Sequence, residues 1–329
     1  MEEESFLSDV FSYENVEFVT YMYLIPIVCI PGILLAVLSA IVFAKLRQTS
    51  LEVLLCGLSL FDVILLTSSM TIYPSMHACS KEEDRTASLT CHFFWKSTLI
   101  IWPLSLMAQA GSVWTCVSIT IDRYIAVSYP IKKRVWCTPF TSLKTLILIT
   151  IFSALFKLPS FFEVRLDENG EIRMTWLRQN AFYIEFYVFY LYVALIQLIP
   201  WTAIIILNAV VIQKVRIAYR AQALLVQGKT ASSKRDESER KVTVMAIVMT
   251  GIFIVCNIPP GINNLVDHLD VSYKSVFRQR LPLSNLLVCV NSASNVFIYC
   301  VFNKKFRDAA LKLTNFRTTT SDELLPTQC

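Results

Sequence analysis

Apolar residues along the chain gather into seven long runs, roughly 21–44, 53–76, 97–121, 145–162, 186–212, 242–266 and 281–302. Charged residues concentrate in the stretches between them. A helix needs about 20 residues to cross the hydrocarbon core of a bilayer. Each run reaches or approaches that length. The fourth is the weakest, because Lys157 interrupts it near one end; a lysine there is expected to snorkel to the interface. No strand-length alternation accompanies the runs, and only 7 glycines occur in 329 residues. The pattern therefore predicts an all-α membrane protein, a seven-helix transmembrane bundle, rather than a β-barrel.

The bases between the runs suggest an orientation. The first 20 residues hold no Lys or Arg. Lys45 and Arg47 follow the first run, and Lys132, Lys133 and Arg134 follow the third. Eight bases from Lys214 to Lys241 follow the fifth, and Lys304, Lys305, Arg307 and Lys312 follow the seventh. The alternate loops mix their bases with acids, as in KEEDR and RLDENGEIR. This predicts an extracellular N-terminal tail over 1–20, a bundle over 21–302, and a cytoplasmic C-terminus in the plasma membrane. The segment NKKFRDAALKLTNF can place Phe302, Phe306 and Leu313 on one face with bases opposite. It reads as a short amphipathic eighth helix over 303–313, lying on the inner membrane surface. The remaining tail, 314–329, reads as disordered. The acidic start MEEESFLSDVFSYENVEF lacks a basic leader region, so the first run is expected to be an anchor.

Composition narrows the class. Hydrophobic residues make up 55% and charged residues 17%, against about 25% charged in an average soluble domain. Most of the ten cysteines lie inside apolar runs, where they read as small buried hydrophobes. No cysteine pair or histidine cluster has metal-ligand spacing, and no nucleophile–base set supports an enzyme. No nucleic-acid partner is expected. Internal repeats, the usual mark of a transporter, are missing.

Polar residues inside the runs carry the chemistry. Asp62, in LSLFDVILL, is an acid deep within the second run. Inserting it costs about 2.5–3.5 kcal/mol even on the mild scale, so it requires a cation, a proton or a polar cluster. An interhelical hydrogen bond is the alternative. In NSASNVFIYC, Asn291, Ser292, Asn295 and Tyr299 follow i, i+1, i+4, i+8 and share one helix face. At the end of the third run, TIDRYIAVSYP places Asp122 beside Arg123, where a charge-assisted bond forms locally.

Asp122, Arg123, Tyr124 and Pro130 resemble the Asp-Arg-Tyr segment of rhodopsin-like (class A) G-protein-coupled receptors. The likeness extends along the chain. Asp62 matches the second-helix Asp, and Pro200 the fifth-helix proline. Cys256 and Pro259 in CNIP match the sixth-helix motif, with Asn257 in place of tryptophan. Asn295 and Tyr299 match the seventh-helix Asn-Pro-x-x-Tyr motif, with Val296 in place of proline. The segments WPLSLMAQAGSVWTCVSITIDRYIAVSYP, KLPSFFEVRL and LLVCVNSASNVFIYCVFNKKF are similar to invertebrate FMRFamide-peptide receptors and their nematode relatives.

The resemblance implies roles. Asp122, Arg123, Tyr124, Glu239 and Tyr299 would form the switch that couples to a heterotrimeric G protein, with Arg123 pairing to Glu239 in the inactive state. The alternative for Glu239 is one charge in a solvated loop. Pro200 and Pro259 would act as hinges. Asp62, Ser112, Asn291, Ser292 and Asn295 match the residues of an allosteric sodium pocket. A water-bridged polar cluster is the alternative. No other cofactor is implied. Family members usually tie the third helix to the second outer loop by a disulfide. Here the loop 163–180 has no cysteine, and Thr98 stands where the helix partner would be. Cys79 and Cys91 are instead expected to pair with each other, contributing about 3 kcal/mol on the chain-entropy model; two free thiols are the alternative.

The implied ligand is a short peptide ending in Arg-Phe-amide. Trp102, Ser105, Gln109, Asn263, Asn264 and Asn285 would line its pocket, and Glu185 or Asp267 would meet its cation. Each is equally plausible as an interface residue. Arrestin and the lipid bilayer are further partners. The alternative function is a chemosensory receptor for environmental small molecules. An opsin is excluded, because the seventh run holds no lysine.

Overall fold

The computed structural model describes residues 13–80, 89–167, 172–224, 231–269 and 274–319, without the side chains of 13–14, 80, 218–224, 231–239, 267, 269, 274–279 and 314–319. Tyr13–Val19, a π-helical stretch Thr20–Leu24 and Ile25–Leu46 follow one another and are counted as α1. Then come α2 (Ser50–Ser80), α3 (Leu89–Ser128), the short α4 (Pro130–Trp136) and α5 (Pro139–Lys157), which runs into a 3-10 turn, Leu158–Phe162. Strands β1 (Val164–Leu166) and β2 (Ile172–Met174) precede α6 (Trp176–Gln179). Two π-helical stretches, Tyr183–Leu191 and Val193–Leu198, lead into Ile199–Leu224 and together form α7. The chain continues through α8 (Ala231–Leu269), α9 (Lys274–Phe302) and α10 (Lys304–Thr319).

Seven of these helices, α1, α2, α3, α5, α7, α8 and α9, are long and apolar enough to cross a membrane. All seven expected runs are helical; five extend past both expected ends, while the fourth and seventh begin earlier than expected and stop at Phe162 and Phe302 as expected. In hydrocarbon every backbone N–H and C=O needs an internal partner, which favours unbroken helices. Helix accordingly continues through Pro31, Pro74, Pro103, Pro259, Pro260 and Pro282. Pro200 lacks the N–H that would bond back one turn. It sits just after the π-helical part of α7, where the hydrogen-bond register changes.

Helix α3 lies at the centre, packed against α2, α5, α7 and α8, while α9 closes on α1, α2 and α8. The shared core is built on Leu55, Leu58, Ile119, Met245, Met249 and Tyr299, each nearly or fully buried. The opposite faces expose large apolar side chains, among them Ile27, Leu34, Leu148, Val255 and Phe297, as a lipid-facing surface requires. Packing is tight at Gly261, where the Trp201 ring leaves no room for a Cβ, so α7 and α8 approach closely.

Three features depart from the sequence expectation. After α5, β1 and β2 pair antiparallel, with Val164 opposite Met174 and Leu166 opposite Ile172. Three-residue strands are too short to leave a periodic signal. Helix α10 runs past Leu313 to Thr319, into the stretch expected to be disordered. Its Phe306, expected on the apolar face of a helix lying on the membrane surface, is fully buried in the bundle core.

Candidate functional site

Polar side chains form two clusters within the bundle and a third, looser group at one end. The first is the core around Asp62, which is 1% exposed. Asn295 Nδ2 donates to Asp62 Oδ2 at 2.8 Å, joining α2 to α9. Ser112 of α3 and Asn291 and Ser292 of α9 are also buried. Because α9 is regular through 291–299, Asn291, Ser292 and Asn295 fall on one face. Ser292 lies beside the carboxylate, yet its Oγ and Asp62 Oδ1 are buried atoms with no hydrogen-bond partner among the described residues. Such orphans are rare because each costs its desolvation.

The second cluster lies at the end of the bundle that carries Arg123. Asp122 and Arg123 are both buried and paired, with Arg123 Nε donating to Asp122 Oδ2 at 3.1 Å and Nη2 to the same oxygen. The other carboxylate oxygen, Oδ1, accepts from Ser50 Oγ. Ser50 and Ser142 hydroxyls share a bond at 2.6 Å. A carboxylate only accepts, so Ser142 donates to Ser50 and Ser50 to Asp122. One acid thereby links α2, α3 and α5. Cys137, in the turn between α4 and α5, lies near Asp122, and burial together with that carboxylate pushes its thiol up to about 12. Tyr124 is half-buried and edge-on to Tyr129, with ring centroids 6.0 Å apart. Tyr299 is buried, with its Oη 3.7 Å from Met249 Sδ of α8. The backbone of Glu239 lies in α8, but its side chain is outside the described residues, as is that of Asp267.

Sequence reasoning missed the capping of α2. Thr49 Oγ1 accepts from Glu52 N–H at 3.3 Å, and the Glu52 carboxylate accepts from Thr49 N–H at 3.0 Å and Gln48 N–H at 2.9 Å. Thr-Ser-Leu-Glu is a capping-box pattern, so this signal was available. Glu52 also pairs with Lys305 Nζ of α10 at 3.6 Å, a contact no local pattern announces.

At the opposite end Cys79 and Cys91 form a disulfide between α2 and α3, with Cα atoms 5.5 Å apart. Of the expected ligand residues, Trp102 is exposed and Ser105 and Gln109 half-buried along one side of α3. Asn263 is buried and donates to Ser284 Oγ at 2.5 Å, tying α8 to α9. Asn285 donates to Tyr21 Oη at 3.1 Å, tying α9 to α1. Asn264 lies beside the Tyr192 hydroxyl, where α8 meets α7. Asn263 and Asn285 therefore hold helices together. Glu185 is exposed and makes no ion pair among the described residues. Lys157, expected to snorkel, is instead 6% exposed and packed between rings.

Residues 35–299 match the family described as 7 transmembrane receptor (rhodopsin family). The chain is 32% identical to the FMRFamide peptide receptor frpr-18 of Caenorhabditis elegans over 294 residues, covering 85% of this chain and 66% of that receptor. It is 26% identical to the FMRFamide receptor of Drosophila melanogaster, covering 94% of this chain and 56% of that one. It is also 26% identical to the mouse somatostatin receptor type 2 over 204 residues, 60% of this chain and 53% of the receptor. The chain thus spans between half and two thirds of the length of these relatives.

Proposed function

The chain belongs to the rhodopsin family of seven-transmembrane receptors, and from that premise we propose that it is a G-protein-coupled receptor for a short amidated, FMRFamide-like neuropeptide. The observation that carries the signalling half is the buried Asp122–Arg123 pair, tied to α2 and α5 through Ser50 and Ser142. A buried ion pair with shared hydroxyls has discrete bonded and released states, which a switch needs. The ligand half is drawn from the relatives, two of which are named as FMRFamide receptors. The Arg123 end would face the cytoplasm and a heterotrimeric G protein, with arrestin competing for the same face. The disulfide end would face outward in the plasma membrane and admit the peptide between α3, α7, α8 and α9. Release of Arg123 would accompany movement of α8 about Pro259, with Tyr299 free to turn toward it.

The polar core suits an allosteric sodium ion. Asp62 Oδ1 and Ser292 Oγ are buried oxygens that make no hydrogen bond among the described residues, and hard cations take oxygen ligands. Asp62, Ser112, Asn291, Ser292 and Asn295 would hold it. A bound cation there would neutralise Asp62 and favour the resting arrangement.

The test is a panel of short amidated peptides and environmental small molecules, read by G-protein activation at measured surface expression. Peptides ending in Arg-Phe-amide are expected to activate. A response confined to small molecules would replace the peptide reading with a chemosensory one. In the same assay sodium is expected to lower agonist affinity, and Asp62→Asn to remove that dependence. Persistence of the sodium effect in the variant would exclude the ion site.

A further inference from the structure

Lys157 closes α5 with a charge that lies in neither polar cluster. It is 6% exposed. Its Nζ stands 4.8 Å from the Phe156 ring centroid and 4.5 Å from that of Tyr192. It makes no salt bridge and no hydrogen bond among the described residues. Aromatic faces recover part of a cation's lost hydration. They supply no acceptor, and three ammonium N–H donors remain unmet.

The nearest acid is engaged elsewhere. Glu163 accepts from Tyr183 Oη at 2.8 Å and Ser160 Oγ at 3.3 Å, and pairs with Arg178 Nη1 at 3.6 Å. It acts on Lys157 only at longer range. Lys157, Arg178 and Glu163 therefore leave one positive charge uncompensated. The position is also informative. The 3-10 turn after Lys157, strand β1 and the π-helical part of α7 all pack against α3. Tyr192, over which Nζ lies, reaches Asn264 of α8. So the charge stands against the stretch of α7 that meets both α3 and α8.

We propose that Lys157 is a ligand-recognition residue that receives a carboxylate of the agonist. A carboxylate supplies both the missing acceptor and the missing charge, and such charge-assisted bonds are the strong ones. The inference rests on the peptide reading and deepens it. An amidated peptide has no terminal carboxylate, so the acid must be an Asp or Glu side chain preceding the Arg-Phe-amide. The agonist then carries both signs of charge.

The experiment uses a set of amidated peptides ending in Arg-Phe-amide, with a single Asp placed in turn at each preceding position and Asn at the same position as its control. Activation is measured on the wild-type receptor and on Lys157→Gln at matched surface expression. At one position Asp is expected to exceed Asn in potency by roughly 10- to 100-fold, the scale of a hydrogen bond to a charged group. The ratio is expected to fall to about one in Lys157→Gln. If the peptides activate but Asp and Asn are equal at every position, Lys157 has no such role and the peptide reading stands. If no amidated peptide activates, both fall together. A second measurement needs no ligand: replacing an uncompensated buried cation by an apolar residue of similar volume stabilises the fold. Lys157→Met is therefore expected to raise the melting temperature of the unliganded receptor. A lowered melting temperature would make Lys157 a structural strut and overturn the inference.

Discussion

Asp122 has both carboxylate oxygens committed: Oδ2 to Arg123 and Oδ1 to Ser50. Removing the Ser50 hydroxyl would leave one oxygen of a buried acid without its donor, which costs about 1–3 kcal/mol or more for a charged group. The loss falls on the arrangement in which α2, α3 and α5 are latched together. Ser50→Ala is therefore expected to raise basal G-protein activation at equal surface expression, and basal activity equal to wild type would show that the latch does not restrain signalling. Arg123 and Asp122 were legible in the sequence because they are adjacent. Ser50 and Ser142 were not, since 72 and 92 residues separate the bonded partners and a serine is common in any span.

Helix α10 shows how an element is placed by a few contacts. Asn303 Oδ1 accepts from Phe306 N–H at 3.1 Å and caps its start. Arg307 Nη1 donates to the carbonyls of Cys300 at 2.8 Å and Val301 at 2.9 Å, closing the end of α9. Phe306 is buried between Phe43 of α1 and Tyr299 of α9, with ring centroids 5.1 and 5.7 Å away. Truncating a buried Phe costs about 3–5 kcal/mol, more than a peripheral helix holds in reserve. Phe306→Ala is expected to speed amide hydrogen exchange across 304–313 while the helices of the bundle keep their protection. Unchanged exchange would mean that Arg307, Asn303 and the Glu52–Lys305 pair suffice. Amphipathicity announced this helix; which apolar residue anchors it depended on the gap between α1 and α9.

At the scale of the molecule, Cys79–Cys91 is the sole disulfide among the described residues, and it joins neighbouring helices. The loop 163–180 has no cysteine, so the β1–β2 pair is held by noncovalent contacts: Thr175 N–H donates to Glu163 O at 3.0 Å, and Tyr183 Oη to Glu163 Oε1. A bridge enclosing so short a segment contributes about 3 kcal/mol on the loop-entropy account. Reductant is expected to lower the melting temperature of the purified wild-type receptor to that of the Cys79→Ser/Cys91→Ser double variant, and to leave the variant unaffected. A variant that melts with the oxidised wild type would show that the bridge adds no stability.

Hydrophobic run length by itself determined the seven spans, because hydrocarbon admits only helices whose backbone groups are satisfied internally. Adjacent residues and helical spacing determined the Asp122–Arg123 pair and the polar face of α9. Tertiary structure decided whatever required two distant segments to meet. It paired Asn295 with Asp62, set Ser50 against Asp122, and turned Asn263 and Asn285 into ties between helices. It also moved Lys157 from the expected interface into a gap between two rings. A snorkelling lysine and a buried one have the same sequence. Only the packing of α5 against α7 determines whether water or an aromatic face receives the charge.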